Sequence, residues 1–231
     1  MQSLPDGYRA IVIGASGGIG AAFVARLQSD PRCASVEALH RRSAIAIDFD
    51  REDSIAAAGA ALSPRGPFHL IVNAVGLLHT CGFMPEKRLA DLHYAQMLET
   101  FRVNTFGPAL VIRHFSPLLA PERAIVAMLS AKVGSIADNR LGGWFSYRAS
   151  KAALNMVVKT GAIELARNRP RVIVVALHPG TVSTPLSQPF GGAEIGRPPL
   201  TAATQMLDVL DTLSPTDSGQ FISYDGQRLP W

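Results

Sequence analysis

"YRAIVIGASGGIGAAFVARLQ" (8–28) holds an apolar run, a glycine-rich turn and a segment with apolar residues at helical spacing, in that order. The short apolar run ending in glycine reads as a buried strand, and 19–28 as the helix that follows it. The turn between them carries Gly14, Ser16, Gly17, Gly18, Ile19 and Gly20, with Gly14, Gly18 and Gly20 spaced G-x-x-x-G-x-G. Glycines there let the backbone turn sharply and approach a pyrophosphate, whose charge then meets the helix N-terminus. A glycine-rich string alone is a weak signal, because a tight turn that binds nothing looks the same. Its position at the first β-to-α turn of an alternating chain strengthens it.

The alternation continues along the chain. SVEALH (35–40) reads as a second strand, AIAID (44–48) as a third and FHLIVNAVG (68–76) as a fourth, with a helix over 51–62. Residues 86–119 carry helical periodicity, as two helices meeting near 102–104. RAIVAMLS (123–130) and RVIVVALHPG (171–180) read as the fifth and sixth strands around a helix over 145–167, and GQFISYDG (219–226) as a seventh. Short apolar strands alternating with helices predict a parallel sheet covered on both faces. The 231 residues therefore read as one α/β domain, 1–231, a Rossmann-like doubly wound fold with a seven-stranded, mostly parallel sheet. The Pro- and Gly-rich stretch 184–218, with one helical piece near 201–213, reads as a substrate-binding lid.

Composition narrows the class. A chain that is 48% hydrophobic and 17% charged is globular rather than disordered. No apolar run approaches the ~18–20 residues that span a bilayer. The N-terminus shows no basic region followed by an apolar one, and Cys33 and Cys81 form no motif, so the expectation is a cytoplasmic protein. The net charge of +4 comes from scattered residues and predicts no nucleic-acid surface. The six histidines have no ligand spacing, so no metal site is expected, and no G-x-S-x-G elbow points to a hydrolase.

Two features bear on chemistry. The second strand ends at LHRR, with Arg41 and Arg42 and no carboxylate. Arginine at this place suits a ribose 2′-phosphate, so NADP(H) is favoured over NAD(H), against a reading of two solvated arginines. FSYRASKAAL (145–154) places Tyr147 and Lys151 one helical turn apart on one face. An ammonium ~4 Å from a phenol, at an effective dielectric of ~20, favours the phenolate by ~4 kcal/mol, or ~3 pK units before desolvation. Such a pair on an unrelated helix is more often a solvated face; here a glycine turn, a strand-end serine and a helical asparagine accompany it.

With GASGGIG, NAVG (73–76), VNTFG, Ser130, YRASK and HPGTVSTP in this order, the chain resembles the short-chain dehydrogenase/reductases, over essentially its whole length. The 130–155 stretch and the YDG ending look most like the carbonyl-reductase branch that includes C-factor and sniffer. The resemblance implies roles. Tyr147 would be the general acid in reduction, and Lys151 would lower its pKa and bind the nicotinamide ribose. Ser130 would hold the substrate carbonyl oxygen, and Asn104 would keep a helix bend and a water that links Lys151 to solvent. Asn73, Ala74 and Gly76 would flank the adenosine ribose, and Asp48 would meet the adenine. Pro179, Gly180, Val182 and Thr184 would face the carboxamide and begin the lid. Ala74, Val75 and Ile13 depart from the family pattern. Ser135 lies nearer the usual serine-to-tyrosine spacing, but Ser130 ends a strand, where the chemistry of such folds sits, and is preferred.

Leu141, Trp144, Phe145, Leu186, Phe190 and Trp231 are apolar candidates for the substrate pocket and point to a hydrophobic aldehyde or ketone. The reading is an NADPH-dependent reductase, expected as a homodimer through the 86–119 and 145–167 helices by analogy with the family. Alternatives are a dinucleotide-binding signalling or redox-sensing protein with incidental turnover, and a nucleotide-sugar epimerase or dehydratase. The latter would want a larger C-terminal region.

Overall fold

The computed structural model describes all 231 residues, Met1–Trp231. Strand β1 (Tyr8–Ile13) leads through the glycine turn into α1 (Gly18–Gln28), β2 (Cys33–Leu39) and α2 (Glu52–Leu62). Strand β3 (Leu70–Asn73) is followed by α3 (Tyr94–Phe101), a π-helical turn (Arg102–Phe106) and α4 (Gly107–Phe115). Then come β4 (Ala124–Leu129), α5 (Phe145–Asn168), β5 (Val172–His178), the short α6 (Gly192–Ile195), α7 (Pro199–Thr212) and β6 (Phe221–Ser223). The sheet has six strands in the order β2-β1-β3-β4-β5-β6, and every neighbouring pair is parallel.

The expected third strand, 44–48, is not formed, so the count falls from seven to six. The reason is chain length. β2 ends at Leu39, and a parallel neighbour needs a crossover of a dozen or more residues. Instead the segment folds back: Ile47 N–H donates to the His40 carbonyl oxygen, Ser43 Oγ caps His40 and Ile45, and Ile47 is buried against the core.

Strand residues alternate between two cores. Ile11, Ile13, Val126, Met128, Val172 and Val174 face α2, α4 and α5, where Ile55, Leu62, Val111, Phe115, Leu154 and Val158 pack. Ala10, Val12, Ile125, Ala127, Ile173 and Val175 face α1 and α7, where Phe23, Leu27, Met206 and Leu210 pack. Burial on both faces is why β4 and β5 read as unbroken apolar runs. Each strand then enters its loop at the same edge of the sheet. Between β1 and β3 the order reverses, since β2 lies to one side and β3 to the other, and such a reversal opens a crevice at the strand ends.

The glycine turn is tight as well as open. Gly14 has φ +84°, and a Cβ on Gly20 would lie 2.1 Å from the Gly14 carbonyl oxygen. That distance is inside van der Waals contact with backbone, which cannot swing aside. Gly20→Ala is expected to lower stability by about 1–3 kcal/mol through forced displacement of the turn. A denaturant melt beside the wild type checks it; an unchanged midpoint would contradict the packing.

Candidate active site

At the crevice, a cleft of about 390 Å³ opens above β1 and β3. Gly14, Ser16, Gly17, His40, Arg41, Asp48, Ala74 and Gly76 are among its walls. No side chain caps α1, whose N-terminus borders this cleft at Gly17, so the helix end is available to an anion. The cleft and the glycine turn fit a dinucleotide. Arg41 and Arg42 are both exposed; Arg41 borders the cleft, and the Arg42 backbone N–H donates to His40 Nδ1. His40, which the sequence reading passed over, is brought in as well. Asn73 is buried at the end of β3, where its Oδ1 accepts the Val75 N–H and shapes the turn rather than the wall.

The cleft runs at Gly76 toward a second group of residues. A Cβ on Gly76 would lie 3.7 Å from Lys151 Nζ and 3.8 Å from Asn104 Oδ1. Asn104 sits in the π-helical turn, a local widening often found at functional sites. Its amide makes three hydrogen bonds: Oδ1 accepts from Leu77 N–H at 2.8 Å, and Nδ2 donates to the Leu77 carbonyl oxygen at 2.7 Å and to Ser150 Oγ at 3.1 Å. It therefore fixes the loop after β3 to the bend and to α5.

Helix α5 presents Tyr147, Lys151 and Asn155 at four-residue intervals, one stripe facing the end of β4. Lys151 Nζ donates to the Leu129 carbonyl oxygen at 2.9 Å, and Ser130 Oγ donates to Asn155 Oδ1 at 2.6 Å. Ser130 thus meets the stripe directly. Ser135 is also buried, but its Oγ accepts the Asp138 N–H within its own turn. Asn155 was missed by the sequence reading, although its spacing from Tyr147 and Lys151 made it legible.

The electrostatics differ from the simple ammonium–phenol estimate. Burial pushes the Tyr147 phenol up to about 12 and the Lys151 ammonium down to about 8. Lys151 Nζ lies 5.8 Å from the phenol ring centroid with its proton given to a backbone carbonyl, so desolvation outweighs the attraction. The expected lowering of the tyrosine pKa is not found. The buried pair is held toward its neutral forms.

The segment 184–218 lies beside this stripe. Phe190 meets Trp144 edge-on at 4.8 Å and His79 at 5.8 Å between ring centroids, and His79 Nε2 donates to the Leu186 carbonyl oxygen at 3.2 Å. Trp144 in turn meets the Tyr147 ring edge-on at 6.2 Å. Phe145 begins α5 beside them, whereas Leu141 is exposed and Trp231 stacks on Phe221 of β6. Where the chain leaves β5, Gly180 has φ +68°, Val182 is buried in the core that Ile19 borders, and Thr184 abuts Gly18. The Arg197 guanidinium stacks on Tyr224 and donates to the carbonyl oxygen of Pro179, clamping both ends of this loop.

A buried carboxylate organises the start of α5. Glu86 accepts the Ser146 N–H at 3.1 Å with Oε2 and the Ser146 hydroxyl with Oε1, while its backbone carbonyl accepts the Trp144 N–H. An acceptor here satisfies donors at the helix N-terminus that no intrahelical carbonyl reaches. Trp144, at φ +52°, occupies the left-handed region under that constraint.

With this geometry in hand, comparison with known proteins is direct. A family profile described as Enoyl-(Acyl carrier protein) reductase matches residues 16–213. The chain is 36% identical over 185 residues to 1-hydroxy-2-glutathionyl-2-methyl-3-butene dehydrogenase of Rhodococcus sp., covering 80% of this chain and 78% of that one. It is 37% identical over 170 residues to C-signal of Myxococcus xanthus, covering 72% and 94%. Among solved structures, NADPH-bound carbonyl reductase from chicken fatty liver superposes with a TM-score of 0.83 at 25% identity, over 99% of this chain and 96% of that one. The carbonyl reductase Sniffer of D. melanogaster shares the fold with a TM-score of 0.83 at 24% identity, over 97% and 99%. The chain belongs to the short-chain dehydrogenase/reductase family and is an oxidoreductase.

Glu86→Ala removes the acceptor of two buried donors at the head of α5 and is expected to cost about 2–3 kcal/mol. At this chain length that lowers the melting temperature by roughly 4–12 °C, readable by calorimetry. An unchanged melting temperature would show that the cap carries no weight.

Proposed function

We propose that this oxidoreductase uses NADPH to reduce the carbonyl of a small, hydrophobic aldehyde or ketone, or to oxidise the corresponding alcohol, with Tyr147 as the proton-carrying group. The observation that carries this reading is the stripe of Tyr147 and Lys151 on α5 set against Ser130 at the end of β4. NADPH, when bound, supplies the hydride. Gly14, Ser16, Gly17, Gly18, Ile19 and Gly20 would hold its pyrophosphate, with Asp48 toward the adenine and Asn73, Ala74 and Gly76 along the ribose. Arg41 with His40 would take the 2′-phosphate, and Arg42, outside the cleft, would add only a distant charge. Lys151 would bind the second ribose, and Pro179, Gly180, Val182 and Thr184 would meet the carboxamide.

Burial gives Tyr147 the form that reduction needs. A phenol pushed up to about 12 keeps its proton through the neutral range. Passing that proton on leaves a buried phenolate, and the charge of Lys151 stabilises it as it forms. Lys151 keeps its charge below about pH 8 and loses it above. Ser130 would hold the substrate oxygen. The segment 184–218 would act as the lid, with Phe190, Trp144 and His79 forming an aromatic wall that excludes water and selects an apolar substrate. The Rhodococcus relative is named for 1-hydroxy-2-glutathionyl-2-methyl-3-butene, whose glutathionyl group is larger and more polar than the substrate this wall would select.

Exposed Phe106, Met156 and Ile163 on the π-helical turn and α5 support a homodimer through these helices. No helix is long and apolar enough to cross a membrane. A second reading, a nucleotide-binding signalling protein, is favoured by the match to 94% of C-signal. The retained tyrosine, lysine and strand-end serine favour turnover.

Three outcomes are expected. Tyr147→Phe lowers kcat for carbonyl reduction about 10²–10⁴-fold while NADPH still quenches intrinsic fluorescence. The rate of reduction falls as pH rises above about 8, because the charge on Lys151 is lost, whereas a proton taken up below that pH restores it. Arg41→Ala raises KM for NADPH more than for NADH; equal changes would remove Arg41 from the 2′-phosphate. No oxidation of NADPH across a panel of aldehydes and ketones, with the nucleotide bound, would turn the assignment to signalling.

A further inference from the structure

Asn155 is a buried amide with a task that the family match does not explain. It is 3% exposed, on a helix whose neighbouring Leu154 and Val158 belong to an apolar core. Its Oδ1 accepts the Ser130 hydroxyl at 2.6 Å, yet its Nδ2 has no partner at all. A buried amide half satisfied is unfavourable, and an apolar side chain would avoid that penalty. The one contact it makes is therefore what the residue is there for.

That contact controls a proton. Ser130 has a single hydroxyl hydrogen, and in the present arrangement Asn155 holds it. Only lone pairs then face the substrate side, which suits the hydroxyl of an alcohol. A carbonyl oxygen needs the opposite polarity. A half-turn of the Asn155 amide brings the unpartnered Nδ2 to Ser130 Oγ as donor. Ser130 is then free to donate its proton onward, while Oδ1 takes the unpartnered place that Nδ2 held.

Resting on the reductase reading above, we infer that Asn155 is a positioning residue that sets the direction of the Ser130 hydroxyl, its amide turning to match carbonyl or alcohol. It touches neither substrate nor cofactor and acts only through Ser130.

The test is a double-mutant cycle on carbonyl reduction with Asn155→Ala, Ser130→Ala and the pair. Asn155→Ala is expected to lower kcat about tenfold or more, with KM for NADPH unchanged. The double variant should be no slower than Ser130→Ala within about twofold, because the two residues act as one unit. Asn155→Asp, equal in shape, reads the same coupling if the alanine variant does not fold. Two results overturn the inference while leaving the reductase reading intact: kcat within about twofold of wild type in a folded Asn155 variant, or effects that multiply in the double variant. A wild-type protein that binds NADPH and reduces no carbonyl overturns both together.

Discussion

The hydrogen bond from Lys151 Nζ to the Leu129 carbonyl oxygen joins the tyrosine-bearing helix to the end of a central strand, and much of the site depends on that junction. A strand end offers carbonyl groups with no ladder partner, and a buried ammonium needs acceptors. Each satisfies the other, so the end of β4 fixes how far α5 can slide or turn. Once α5 is fixed, Tyr147 and Asn155 are fixed with it, since residues four apart share a face. Ser130, the next residue after the strand, then gives its hydroxyl hydrogen to the Asn155 amide.

Three further restraints hold α5 from other directions. Asn104 ties the loop after β3 to Ser150 through an amide that makes three hydrogen bonds. Glu86 reaches from the same loop to the head of the helix. A Cβ on Gly134, in the turn after β4, would lie 2.7 Å from Lys151 Cβ, so that turn also lies directly on the helix. This density of contact has an electrostatic consequence. It excludes water, and desolvation then dominates over Coulomb attraction for both titrating groups. The pair is poised by burial: a phenol that keeps its proton and a lysine whose charge is lost about two pH units below its ordinary range.

Much of the fold was legible from residue patterns. Strand β1, the glycine turn and α1 lie where the apolar run and the glycines put them, and β4 and β5 match their unbroken apolar runs because both sheet faces are covered. The error at 44–48 is instructive: composition alone admits a strand there, but the four-residue gap after β2 cannot carry a parallel crossover. In the site, Tyr147 and Lys151 were legible because helical spacing is a local property. Asn155 was equally legible by spacing, but its chemistry was not, since its partner lies 25 residues away in sequence. Glu86 gave no signal, because a cap supplied from 60 residues away leaves no motif at the helix it caps.

The sequence by itself determined the alternation of strand and helix, the glycine turn and the helical stripe, because each depends on residues within one or two turns of one another. Only the tertiary structure decided which arginine borders the cleft, which serine meets the stripe, and that the tyrosine is held protonated. Those outcomes depend on distance and on the exclusion of water. Both are set by chain segments that pack from far along the sequence, and neither has a local pattern to announce it.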